Sequence, residues 1–215
     1  IFSVTTLIPS TIVMRLIRRH PHMTLRDHFT LSHDGRMVAS LNLIPQTWSL
    51  GGIPLKVAEM GCVATHPEYR KRGLQRMLVR EFHRRLSEEG YSLSAIEGIP
   101  YFYRQFGYEY AIPLDEEVSI RLDRIPNYDQ GFSIRPFKEA DIPRAMQLLA
   151  KSQRRFLVHS LRDEKIWRVQ QDTGYSADWR FEGYAVEECG EMIAYFRLGQ
   201  KDERLVLLEI SETEE

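Results

Sequence analysis

The stretch VATHPEYRKRGLQRML, residues 63–78, constrains this chain more than any other. An apolar strand runs into a short basic turn, and the turn opens a long amphipathic helix. The first backbone N–H groups of a helix have no partner within it, and the helix dipole is positive at that end. Arg70, Lys71 and Arg72 add three formal positive charges, and Gly73 lets backbone come close to a ligand. The combination predicts a cradle for a diphosphate. A basic helix start taken alone is more often a solvated surface, so the flanking elements decide.

The preceding run, residues 53–65, reads as a long, nearly apolar strand. The helix should continue to about residue 89. Leu74, Met77, Leu78, Phe82 and Leu86 recur at helical spacing as its buried face. Arg72, Arg76, Arg80 and Arg84 follow four apart on its other face, and Gly90 stands where a C-terminal cap is expected.

This order of strand, R-x-x-G-x-[G/A] turn and helix resembles the acyl-CoA pyrophosphate loop of the GNAT superfamily of N-acetyltransferases. Arg70, Gly73 and Gln75 fill the three motif positions, and Gln75 departs from the small residue usual at the third. The loop R-K-R-G-L and the element FYRQFGY at residues 102–108 are similar to those of the enhanced-intracellular-survival (Eis) branch. The resemblance implies an α/β fold of GNAT type. Such a fold has a mixed, mostly antiparallel sheet, a central parallel pair splayed around the cofactor, and flanking helices.

Composition agrees with an ordinary globular protein. The chain has 215 residues, 43% hydrophobic and 27% charged, enough to bury a core in one or two domains. A net charge of −1 argues against nucleic acid as the main partner, so the basic turn is a local feature. Cys62 and Cys189 are too few and too far apart for a disulfide framework, which favours a reducing cytoplasm. No apolar run reaches the ~20 residues of a membrane span, and no signal peptide is recognisable. The sequence begins without Met and stops in SETEE, so both ends look cut relative to the family pattern. Self-association is compatible with the sequence but is not specified by it.

Along the chain, Ser10 reads as the N-cap of a helix to about His20, with Pro21 ending it. Residues 26–32 and 36–45 read as strands around the turn signal Asp34-Gly35, and Gly51-Gly52 reverses the chain into the strand 53–65. Residues 91–98 should form a strand parallel to 53–65, since a helix joins them. Pro100 suits the first position of a short helix containing Tyr103. Residues 107–111 should enter the last strands, and 118–122 alternates as another. The first domain is then 1–123, residues 124–131 are a linker rich in Pro, Asn, Asp and Gly, and 132–215 form a second domain.

The second domain contains an internal match. Residues 29–43 read FTLSHDGRMVASLNL and residues 184–198 read YAVEECGEMIAYFRL. Gly35 aligns with Gly190, Met37 with Met192, Ala39 with Ala194 and Leu43 with Leu198, without gaps. Two unrelated hairpins could share this pattern. A duplicated, partial GNAT-like domain explains it as well and agrees with the tandem domains of Eis-like proteins. Residues 204–210 would then correspond to the strand 53–65. The carboxylates of Glu212, Glu214 and Glu215 follow where the basic turn should be, so no cofactor loop is expected there.

Acetyl transfer to an amine needs a neutral amine, donors for an oxyanion and a proton for the departing thiolate. A tyrosine hydroxyl (pKa ~10) can protonate a thiolate (thiol pKa ~8.5). The family resemblance gives this role to Tyr103, with Tyr101, Tyr108 and Tyr110 as competitors. It implies cofactor contacts for Cys62, Val63, Ala64 and Thr65 through main chain, and for Arg70, Lys71, Arg72, Gly73, Leu74, Gln75 and Arg76 at the turn and helix start. Glu59 and Glu97 are the candidate general bases. In Eis proteins the resemblance gives the base role to a C-terminal carboxylate delivered from a third, sterol-carrier-like domain, which this sequence does not contain. The histidines at 20, 22, 28, 33, 66, 83 and 159 show no metal-ligand spacing. The implied activity is acetyl-CoA-dependent N-acetylation of a small-molecule amine or a lysine side chain. A catalytically inactive CoA-binding module is the alternative. Asp115, Glu116 and Glu117 could attract a polycation or be a solvated turn.

Overall fold

The computed structural model describes residues 18–113, 120–125, 131–176, 179–201 and 204–211. They form two compact units. One holds the described residues up to Ile112 together with Leu157–Arg162, and the other holds the rest. These units are cut differently from the sequence segments 1–123, 124–131 and 132–215.

In the first unit, β1 (His28–His33) and β2 (Arg36–Leu50) form a hairpin, and β3 (Ile53–Thr65) returns antiparallel to β2. Asp34 and Gly35 at the first turn have φ of 48° and 73°, left-handed values that Asp and Gly tolerate best. Helix α1 (Leu74–Glu88) then crosses over, and β4 (Leu93–Ala95) pairs parallel with β3. Gly90 closes the helix in the left-handed conformation, and the Tyr91 N–H reaches back to the Leu86 carbonyl at 2.9 Å. A strand from much later in the chain, β6 (Val158–Leu161), pairs with residues 47–50 of β2. No strand was expected there from the sequence.

Leu78, Val79, Phe82 and Leu86 of α1 pack on Phe29, Ala39, Leu41, Leu43, Ala58 and Met60 of the sheet. Phe82 is 0% exposed, a burial that stabilises by roughly 2–3 kcal/mol. Met77, expected on this face, is 56% exposed, and Val79 takes its place. The helix turns its 78–79–82–86 stripe to the sheet, which puts Met77 on the outer side.

The second unit has β5 (Phe132–Pro136), α2 (Ile142–Gln153), α3 (Glu164–Thr173), β7 (Tyr175–Ser176), β8 (Trp179–Glu188), β9 (Glu191–Lys201) and β10 (Arg204–Ile210). Its sheet runs β10-β9-β8-β5, with β7 beside β8. The Arg197 guanidinium, 3% exposed, lies 4.5 Å from the Trp167 ring centroid and 4.4 Å from that of Phe181. It donates to Gln170 Oε1 at 2.8 Å.

The two hairpins share an irregularity. In β1–β2 the pairing steps from Leu31–Ala39 to Ser32–Met37, leaving Val38 bulged. In β8–β9 it steps from Val186–Ala194 to Glu187–Met192, leaving Ile193 bulged. These bulges fall at aligned positions of the internal sequence match.

Four local expectations are corrected. The strand expected over 91–98 is confined to Leu93–Ala95, because β3 offers it only residues 57–59 as partners. Pro100 does not open a helix: Tyr101, with φ of 65°, precedes a short 3-10 turn over Phe102–Phe106. Residues 108–112 form no strand, since Gly107 ends that turn in a left-handed conformation and the Tyr108 N–H folds back to the Tyr103 carbonyl at 3.4 Å. Of the strand expected over 118–122, Leu122 begins a 3-10 turn and Ile120 and Arg121 are not strand, while 118–119 lie outside the described residues. The helix expected over 10–20 also lies outside them, apart from residues 18–20.

Candidate active site

Strand β3 is thirteen residues long, and only Val57, Ala58 and Glu59 pair with β4. From Met60 to Thr65 its edge on that side takes no strand among the described residues. On its other side the pairing with β2 steps from Asn42–Gly61 to Ser40–Ala64, so Cys62 and Val63 form a bulge, with Cys62 at φ 51°. A bulge turns backbone groups out of the ladder and aims them elsewhere. The sequence-predicted group Cys62, Val63, Ala64 and Thr65 therefore lines one open strand edge.

Beyond Thr65, the His66 N–H bonds the Val38 carbonyl at 2.8 Å, and Pro67–Tyr69 makes a 3-10 turn. Lys71 and Gly73 have φ of 60° and 74°, and these left-handed steps curl the chain into the helix start. Gly73 is the N-cap of α1 and supplies no side-chain cap, so the first N–H groups of the helix are left for another acceptor. Arg70, Lys71 and Arg72 are exposed around this turn, with Arg72 stacked 4.9 Å from the Tyr69 ring centroid. Leu74 packs against the core instead of facing the turn. Arg76 donates to Gln105 Oε1 at 2.8 Å and lies over the Phe106 ring, which ties α1 to the Phe102–Phe106 turn. The Gln75 amide reaches inward to the strands: Nε2 lies 2.6 Å from the Ala64 carbonyl, 2.9 Å from Thr65 Oγ1 and 3.3 Å from the Ser40 carbonyl.

Tyr103 is half-buried against the core of the first unit, among Phe102, Phe106 and Tyr108. Its hydroxyl has no hydrogen-bond partner among the described residues, and burial pushes its pKa up. Of the competing tyrosines, Tyr101 and Tyr110 are exposed, and the Tyr110 hydroxyl is 2.6 Å from the Tyr101 backbone nitrogen. Tyr108 is engaged: its hydroxyl lies 2.6 Å from Ser94 Oγ and 3.3 Å from His83 Nε2. Burial raises the Tyr108 pKa to about 12, and burial lowers that of His83. A neutral, well-held phenol is suited to structure more than to giving up its proton.

Among the candidate bases, the Glu59 carboxylate accepts from Gln46 Nε2, and Gln46 Oε1 in turn accepts from Trp48 Nε1 at 2.6 Å. Glu97 is exposed just past the end of β4. Asp115, Glu116 and Glu117 lie outside the described residues, as do Glu212, Glu214 and Glu215. Among the described residues no group of three His, Cys, Asp or Glu side chains could hold a metal ion, and no helix is long and apolar enough to cross a membrane. Ser94, His83 and Gly98, which pack around the tyrosines, carried no motif and were not anticipated.

Comparison with known proteins agrees with this architecture. Residues 13–111 match the family described as acetyltransferase (GNAT) domain. No curated protein matches the chain. Among solved structures, a probable N-acyltransferase from Enterococcus faecalis is similar over 96% of this chain and 52% of its own, with 17% identity and a TM-score of 0.73. A GCN5-related N-acetyltransferase from Anabaena variabilis is similar over 99% and 54%, with 18% identity and a TM-score of 0.72. The Saccharomyces cerevisiae N-myristoyltransferase with bound myristoyl-CoA is similar over 93% and 56%, with 14% identity and a TM-score of 0.64. The chain thus spans about half the length of these structures. At such identities the likeness is one of fold.

Proposed function

We propose that this chain is an acetyltransferase of GNAT type, which its match over residues 13–111 supports, and that it moves acetyl from acetyl-CoA directly to a primary amine, on a small molecule or a lysine side chain. The observation that carries the reading is one continuous surface. The open edge of β3 past Glu59 leads through a bulge and a basic turn into the uncapped start of α1.

In this reading the diphosphate accepts from main-chain N–H groups of residues 71–76, and Arg70, Lys71 and Arg72 neutralise its charge. The backbone of Cys62, Val63, Ala64 and Thr65 pairs with the amides of the pantetheine arm, and a bulge N–H faces the carbonyl oxygen as charge develops. The thioester supplies the activated acetyl group. A C–N bond forms as the C–S bond breaks; Tyr103 gives its proton to sulfur and regains one that the amine has shed to solvent. Glu59 and Glu97 remain the candidates for relaying the amine proton to solvent.

We read residues 132–215, after the linker 124–131, as a second, partial GNAT-like domain in an Eis-like tandem whose segment 157–162 is lent to the first unit. The coincident bulges at Val38 and Ile193 support that reading. Cys62 and Cys189 form no disulfide, which fits a cytoplasmic setting. The inactive CoA-binding module stays as the second reading, because the Glu59 carboxylate is already held by Gln46.

The test is a calorimetric titration with acetyl-CoA, wild type against Arg72→Glu, followed by an amine panel comparing wild type with Tyr103→Phe. Binding lost in Arg72→Glu and turnover lost in Tyr103→Phe support the enzyme. Binding without turnover on any amine supports the silent module.

A further inference from the structure

Gln75 stands where the family motif has a small residue, and the structure shows what the larger side chain does. The pairing of β2 with β3 breaks at Cys62 and Val63, directly before Ala64. At that break Gln75 Nε2 reaches the carbonyls of Ser40 on β2 and Ala64 on β3, and the hydroxyl of Thr65. One amide from the first turn of α1 thus supplies a donor to both strands where the ladder is interrupted. Its Oε1 is buried and accepts no hydrogen bond among the described residues.

We infer that Gln75 is a positioning residue that ties the bulged end of β3 to the first turn of α1, so that the diphosphate turn and the strand edge are held in one fixed relation. The inference rests on the acyl-CoA reading of this surface. CoA spans both parts, whereas ADP occupies only the turn. Loss of the tie therefore weakens CoA and spares ADP.

The experiment titrates CoA and ADP into wild type, Gln75→Met and Thr65→Val, with acetyl-transfer kinetics alongside. Gln75→Met keeps the side-chain length and removes the donor. Thr65→Val removes one partner and leaves the backbone in place, and serves if Gln75→Met does not fold. The expected result is CoA affinity lowered about ten-fold in Gln75→Met and about three-fold in Thr65→Val, the size expected for lost buried hydrogen bonds. ADP affinity stays within about two-fold, and kcat falls with CoA affinity. CoA and ADP weakening equally, or neither changing, overturns the positioning role while leaving the acyl-CoA reading intact. A folded wild type that binds neither CoA nor ADP overturns that reading itself.

Discussion

Gly98 lies so close under the Tyr103 ring that a β-carbon on it would stand 2.3 Å from Tyr103 Cε2 and 2.6 Å from Cδ2. No side chain fits there without moving the ring. Gly98→Ala is therefore expected to displace Tyr103 and leave the diphosphate turn untouched. A displacement of the order of 1 Å costs about 100-fold in turnover. CoA affinity in Gly98→Ala should stay within about two-fold of wild type. Steady-state kinetics beside calorimetry separate the two quantities.

Tyr103→Phe should lower kcat by about 100-fold, the lower end of what general acid catalysis contributes. Burial raises the Tyr103 pKa above the ordinary phenol value, so its hydroxyl keeps its proton throughout the neutral range and beyond. The ratio of wild-type to mutant kcat should thus be flat from pH 7 to about pH 10 and fall only above it. A ratio that declines near neutrality would assign the proton to another group.

Tyr91 and Tyr108 predict an alkaline limit to stability. Burial raises both to about 12 in the folded state, above the unfolded phenol value of about 10. Between these values the native state binds more protons than the unfolded state, so stability is complete below about pH 10 and falls as pH rises toward 12. Tyr108→Phe should flatten part of that decline. At pH 7 the same change should destabilise by about 1 kcal/mol, through the lost bonds to Ser94 and His83. Thermal melts across pH 8 to about 12 provide the check.

Asp27 and Arg85 predict a structural weak point. Asp27 is 5% exposed, takes the Thr24 N–H at 2.6 Å and lies 3.1 Å from Arg85 Nη2. Asp27→Ala takes the capping acceptor from the Thr24 N–H and one of two carboxylates from Arg85, which keeps Glu89 at 2.6 Å. It should therefore lower stability by about 2 kcal/mol in urea unfolding.

Much of the first unit was legible because periodicity and turn chemistry agreed. Residues 53–65 and the helix from Leu74 fell where the apolar runs, Gly52 and Gly90 placed them. The backbone frame of the candidate site was legible for the same reason, since a strand edge and a helix start are defined by backbone. Side-chain partnerships were not. Nothing local tells that Gln75 turns inward, that Met77 turns outward or that Glu59 meets Gln46, because those outcomes depend on the bulge at Cys62 and on strand register. The stretch 107–111 misled because its alternating tyrosines imitate a strand, while Gly107 closes the preceding turn.

The pairing of β6 with β2 bears on how this polypeptide can be divided. Val158–Leu161 completes the sheet of the first unit, yet the chain on both sides of it belongs to the second. A gene fragment ending at 112 would lack that strand and bare the backbone of residues 47–50, an invitation to intermolecular pairing. Dissection of the two halves therefore calls for a circularly rearranged or grafted 157–162 segment, since no single cut yields an intact sheet.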